Sequence, residues 1–309
     1  MRACVDIGGT KVAVSLALPG NDTLMARQSA PTAKTGDNDA VARQVLALID
    51  AACGAIGVSS SAIESVGVSS AGPFVLNAGC VELATPNICG GLAGPARGLP
   101  NDWMTAVIEA PLRQRFARVR VENDAVAALE AERRWGALRG LDHCAYVTWS
   151  TGVGVGLCVD GHPLRGKNGN AGHAGHTFVS DDDNHDALCG CGNVGDVEGL
   201  VAGNSIARRF GRSAEDLFNA AVAGEAEAVR ITDALCRVMG RALYNLVATL
   251  DLQAISLGGS VFWHNRDFLL PRLQGHLDGH LAPLTRGVRL HAAGLGDKVG
   301  DYAALALVD

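Results

Sequence analysis

Apolar positions near the start of the chain fall into two short runs, 2–5 and 12–17, joined by a glycine turn, a pattern that predicts a β-hairpin. From 39 to 55 the spacing becomes helical, and 64–69 is predicted as a further buried strand. Residues 72–100 are rich in glycine and proline and have little periodicity, which predicts long loops with one short strand at 80–83. A helix is predicted over 102–116. A strand over 118–121 then ends at Glu122, Asn123 and Asp124, with Asp124 placed to cap a helix over 125–135.

The second half repeats this grammar. Strands at 144–149 and 155–159 flank another glycine turn, helices fill much of 195–250, and a strand at 254–257 runs into Gly258, Gly259 and Ser260. A last strand at 288–291 precedes a helix opening at Gly300. Such a duplicated plan predicts an α/β protein of two similar lobes with a cleft between them. The first lobe is expected to span 1–122 and the second 123–298, with a C-terminal helix over about 299–309 returning to the first.

Composition narrows the class. A net charge of −6 without a basic cluster argues against a nucleic-acid surface. No apolar run reaches the roughly 18 residues needed to cross a bilayer, and no export signal opens the chain, so no membrane partner and a cytoplasmic location are expected. Nine cysteines, an odd number, then fit reduced core thiols plus a metal site better than a disulfide framework.

Four segments carry candidate chemistry. Asp6, Ile7, Gly8, Gly9, Thr10 and Lys11 lie between two strands, where glycines let backbone N–H groups approach an anion. Thr10 adds a hydroxyl, Lys11 a charge, and Asp6 a carboxylate for Mg²⁺, directly or through water. Ser150, Thr151 and Gly152 form a second hydroxyl-plus-glycine turn, and Gly258, Gly259 and Ser260 a third; the set suits the phosphates and nucleoside of one nucleotide. Between the second and third turns, His176, Cys189 and Cys191 bring an imidazole and two thiolates within a glycine-rich stretch, a ligand set Zn²⁺ favours, with His173 and Glu198 flanking it.

The Asp-Ile-Gly-Gly-Thr-Lys opening, the Asn123-Asp124 pair, Ser-Thr-Gly-Val-Gly at 150–154, the AGxxGH segment ending at His176 and CxCGxxGxxE from Cys189 to Glu198 occur in one order. Together they resemble the ROK family of bacterial sugar kinases and repressors, over residues 6 to about 304. The resemblance implies an actin-like, hexokinase-like fold of ribonuclease H-like lobes with a zinc-knot insertion, ATP and Mg²⁺ as cofactors, a hexose substrate and a homodimer. The family's repressors carry a DNA-binding helix-turn-helix ahead of the first phosphate loop; with five residues before Asp6, a kinase is the expectation.

Within that resemblance Asp124 is the catalytic base for the sugar 6-hydroxyl, and Gly72, Asn87, Asn123, Asp124, His173, His176 and Glu198 form the sugar pocket. His176 binds zinc through one ring nitrogen and meets the sugar with the other. Most kinases of the family carry Glu at the position of His173. A carboxylate accepts two hydroxyl protons, whereas a neutral imidazole accepts one and donates one, so a different hydroxyl pattern is expected. The AGHxGH version is similar to the branch acting on N-acetylmannosamine; glucose, N-acetylglucosamine, or a sugar-sensing role without turnover are the alternatives. The family's third zinc cysteine is replaced here by Asp196, the expected fourth ligand, with His185 and Asp186 in the acidic loop 180–188 as further candidates.

Overall fold

The inner strands of the chain's two larger sheets are buried on both faces and need cover on either side, whereas the edge strands are partly exposed. In the computed structural model, which describes residues 1–93, 98–180 and 186–308, the first sheet is built from β1 (Arg2–Ile7), β2 (Lys11–Ala17), β3 (Met25–Pro31), β4 (Ser65–Ser70) and β8 (Arg118–Asn123). Their order is β3-β2-β1-β4-β8. β1, β2 and β3 are antiparallel neighbours, whereas β4 and β8 add in parallel. A small antiparallel sheet of β5 (Phe74–Asn77), β6 (Cys80–Leu83) and β7 (Ala106–Val107) follows β4. Helices α1 (Ala40–Ala55), α2 (Gly90–Ala93), α3 (Glu109–Arg115) and α4 (Asp124–Trp135) complete this part of the chain. α1 turns Val41, Val45, Ile49 and Ala52 inward at helical spacing, into a core that includes Val5, Val14, Leu16 and Val68.

The second sheet contains β9 (Cys144–Trp149), β10 (Val153–Val159), β11 (His162–Pro163), β12 (Ala254–Gly258) and β13 (Arg289–Ala292), in the order β11-β10-β9-β12-β13. The pattern of the first sheet recurs: β9, β10 and β11 are antiparallel neighbours, and β12 and β13 add in parallel. Its helices are α5 (Val197–Val201), α6 (Gly203–Phe210), α7 (Ala214–Val222), α8 (Ala226–Leu250), α9 (Ser260–His264), α10 (Arg266–Asp278) and α11 (Ala282–Thr285). α8 presents Ile231, Leu235, Met239, Leu243 and Val247 to a core shared with Trp149, Phe218 and Phe262. The chain closes with α12 (Val299–Ala306). Contacts divide the chain into a first unit of Met1–Ala131, Arg165–Ala171 and Gly300–Asp309, and a second of Glu132–Leu164 and Gly172–Val299.

Three local expectations are corrected. The helix predicted over 102–116 exists only as α3; Pro111 lacks an amide N–H and fits a helix only in its first turn, and Ala106 and Val107 pair with β6 instead. Residues 72–93 hold β5, β6 and α2 rather than loop with one strand, while 94–97 lie outside the described residues. Asp124 opens α4 instead of preceding it: the Ala125 N–H donates to Asn123 Oδ1 (3.0 Å) and to Asp124 Oδ1 (2.8 Å), so the pair shares the helix start.

Candidate active site

Parallel register brings Ile7, Ser70 and Asn123 to one level across β1, β4 and β8. The residues just beyond that level form one end of the sheet: the Gly8–Lys11 turn, Ala71 and Gly72, and Asp124. Carboxyl ends of parallel strands are where open α/β sheets bind ligands. The turn closes with a bond from Gly8 N to Lys11 O (2.9 Å), and Thr32 brackets it, donating from Oγ1 to Gly8 O (2.7 Å) and from its N–H to Thr10 O (3.0 Å). Thr32 is buried and was missed in the sequence, where a lone threonine 22 residues downstream carries no signal. A Cβ at Gly9 would fall 2.6 Å from Asn87 Cβ, so Asn87 packs on the turn itself. Ala71 is tied to both neighbours, its N–H to Ile7 O and its carbonyl to Thr85 Oγ1.

Asp6 lies beneath this turn. Burial raises its pKa to about 6, against the pull of Arg27 and Lys11 and with some help from Asp301. Arg27 is itself ion-paired with Asp301.

In the second unit, β9 and β12 place Thr148 beside Gly258, so the 150–152 turn and Gly258–Ser260 emerge at one end of their sheet. Ser150 N donates to Gly152 O (2.9 Å), and Gly203 N, at the start of α6, donates to Ser150 O (2.8 Å). The AGHAGH segment lies directly on β10: a Cβ at Gly172 or Gly175 would fall 2.1 Å from Val155 O or 2.2 Å from Val153 O. Those two glycines explain the motif's small residues, because only a bare backbone brings His173 and His176 this close to the strand. The imidazoles stack with centroids 5.8 Å apart. His173 Nε2 is buried with no hydrogen-bond partner among the described residues, and burial lowers the pKa of this ring, with His176 adding to the effect.

His176, Cys189, Cys191 and Asp196 each direct one ligand atom into a cluster whose members lie within 4.8 Å of one another. His176 Nδ1 is 3.2 Å from Asp196 Oδ2 and 3.5 Å from Cys189 Sγ; Cys191 Sγ is 3.4 Å from the same Asp196 oxygen. Asp196 divides its carboxylate, with Oδ1 accepting from Gly199 N (2.7 Å) to cap α5 and Oδ2 facing the cluster. The bond to Asp196 raises the pKa of His176 against burial. Burial opposes the charge on Asp196, yet His176, the Gly199 N–H and the two thiols hold its carboxyl below the ordinary range. One imidazole, two thiols and a carboxylate converging at this spacing fit a tetrahedral zinc ion. Asp186 takes no part, because it ion-pairs with Arg209 at 3.2 Å; His185 lies outside the described residues. Glu198, on α5, accepts from Val153 N (2.9 Å) and from Cys189 Sγ (3.3 Å).

The ROK family profile matches residues 2–309, so the chain belongs to the ROK family. It is 29% identical to the glucokinase of Aeropyrum pernix, covering 98% of this chain and 95% of the relative. With the N-acetylmannosamine kinase of Salmonella typhimurium it shares 31% identity over 83% of this chain and 82% of that enzyme. The crystal structure of a ROK family glucokinase from Streptomyces griseus, in complex with glucose and AMPPNP, superposes with a TM-score of 0.73 at 26% identity, covering 99% of this chain and 98% of that one. Within the family this chain is a sugar kinase.

Proposed function

We propose that the chain transfers the γ-phosphoryl group of ATP to the 6-hydroxyl of N-acetylmannosamine, releasing ADP and the 6-phosphate. The observation that carries the sugar assignment is His173, whose buried Nε2 has no partner among the described residues. A buried polar atom left unsatisfied costs about 1–3 kcal/mol, which a sugar hydroxyl at this position would offset. An imidazole here, where the family's glucose-type pockets carry a carboxylate, favours the N-acylhexosamine reading, as does the name of the Salmonella relative. The Aeropyrum relative, which aligns with more of the chain, keeps glucose as the second reading.

Phosphoryl transfer proceeds through a loose transition state, so the protein's work is positioning and charge stabilisation. Asp124 accepts the proton of the 6-hydroxyl. The Ala125 N–H steadies Asp124 Oδ1 and also occupies Asn123 Oδ1, which leaves the Asn123 amide to donate to a neighbouring hydroxyl. Asp6 would hold, directly or through water, the Mg²⁺ that accompanies ATP. The backbone of Gly8 and Gly9, with Thr10 and Lys11, receives phosphate oxygens, and Ser150–Gly152 with Gly258–Ser260 receives the rest of the nucleotide. Gly72, Asn87, His176 and Glu198 supply further sugar contacts; Asn87, packed on Gly9, lies where sugar and phosphate would adjoin. Zinc bound by His176, Cys189, Cys191 and Asp196 would be structural. With Nδ1 on the metal side, His176 keeps Nε2 for a hydroxyl.

Replacing Asp124 with Asn tests the mechanism. Turnover with ATP-Mg and N-acetylmannosamine is expected to fall by about 10²-fold or more while sugar binding persists; a variant near the wild-type rate would remove Asp124 from its role.

A further inference from the structure

Glu198 touches more than a sugar ligand needs to. Its Oε2 accepts the Val153 N–H at 2.9 Å, and a Cβ on Gly152 would sit 2.6 Å from that same oxygen. The carboxylate therefore meets the 150–153 turn through Oε2 and fills the space a side chain at 152 would occupy. Its Oε1 meets Cys189 Sγ at 3.3 Å. Its backbone carbonyl accepts from Ser205 Oγ (3.2 Å) and from Ala202 N (3.0 Å), just before Gly203 N donates to Ser150 O. One side of the turn is thus held by the Glu198 side chain and the other by the start of α6, while Asp196, two residues before Glu198, caps the helix that carries it.

We infer that Glu198 is a positioning residue for the nucleotide turn at 150–153, so that the carboxylate assigned to the sugar also sets the geometry that receives ATP. The inference rests on the kinase reading above and adds a specific link: the carboxylate assigned to a sugar hydroxyl also bears on the turn. The sign of the effect separates positioning from charge. Removing a negative charge near a phosphate site tightens anion binding, whereas removing the acceptor for Val153 N loosens the turn and weakens it.

AMPPNP-Mg binding is measured by titration calorimetry without sugar, on the wild-type chain and on Glu198→Gln, Glu198→Ala, Gly152→Ala and the Gly152→Ala/Glu198→Ala pair. Glutamine keeps an acceptor for Val153 N, so its nucleotide affinity is expected within about twofold of wild type, while alanine is expected to lose about tenfold. Gly152→Ala should also weaken binding, and in the double variant its added methyl should cost nothing further, because the clashing carboxylate is gone. Equal or tighter binding by Glu198→Ala overturns the inference, as does an undiminished affinity in Gly152→Ala, which stands as the test should Glu198→Ala not fold. A wild-type chain that binds no nucleotide overturns it together with the kinase reading. A wild-type chain that binds and turns over, beside an unaffected Glu198→Ala, overturns this inference alone.

Discussion

Asp6 carries a cost in stability that depends on pH. Its pKa stands at about 6 in the folded chain against an ordinary 3.8, so folding favours its protonated form. Below 3.8 the group is neutral in both states and costs nothing; as pH rises from 3.8 to 6 the unfolded chain ionises first, and above 6 the folded state carries the full penalty, on the order of 3 kcal/mol. Asp6→Asn removes that penalty. The variant should melt higher than wild type at pH 8, with the gain shrinking toward pH 4, and should lose Mg²⁺-dependent turnover; equal melting at pH 8 would contradict the buried-charge account. At this scale the sequence was legible where residue type and chemistry coincide, as for His176, Cys189 and Cys191. Asp196 was visible only through the family pattern, because an aspartate before a helix is equally a cap, and the structure gives it both contacts. Thr32 was invisible, since its two bonds to the Gly8–Lys11 turn depend on β3 pairing with β2.

Among the elements, those with dense apolar runs were legible and those at edges were not. β4 and β12 are buried along their whole length and read clearly as strands. β3 is an edge strand alternating between half-buried and exposed positions, and its Met-Ala-Arg-Gln-Ser-Ala-Pro sequence has no hydrophobic run to mark it. β5 has one buried residue, Phe74, and β7 only two residues in all, so neither rises above a loop without its partner β6. The segment from the AGHAGH turn to α5 forms the most localised testable element. About one zinc per chain is expected by metal analysis, lost with Cys189→Ser, whereas Asp186→Asn should keep it because Asp186 is engaged by Arg209. Retained zinc in Cys189→Ser, or loss in Asp186→Asn, would assign the ligands differently.

On the scale of the whole chain, repetition was the strongest signal. Each half opens with a hairpin around a glycine turn and adds two parallel strands, and the two observed sheets match strand for strand, β3-β2-β1-β4-β8 and β11-β10-β9-β12-β13. Register could be anticipated in neither, since it depends on pairings between residues far apart in sequence, such as Ser70 with Asn123. Those pairings align the candidate groups at the strand ends. No described helix is long and apolar enough to cross a membrane. The claim that unites these scales is a sugar kinase whose pocket is tuned by His173. Its most direct test gives the purified chain ATP-Mg with N-acetylmannosamine, N-acetylglucosamine, glucose and mannose in turn, following ADP release. The account predicts the highest kcat/KM with N-acetylmannosamine; a value for glucose equal to or above it would contradict the assignment.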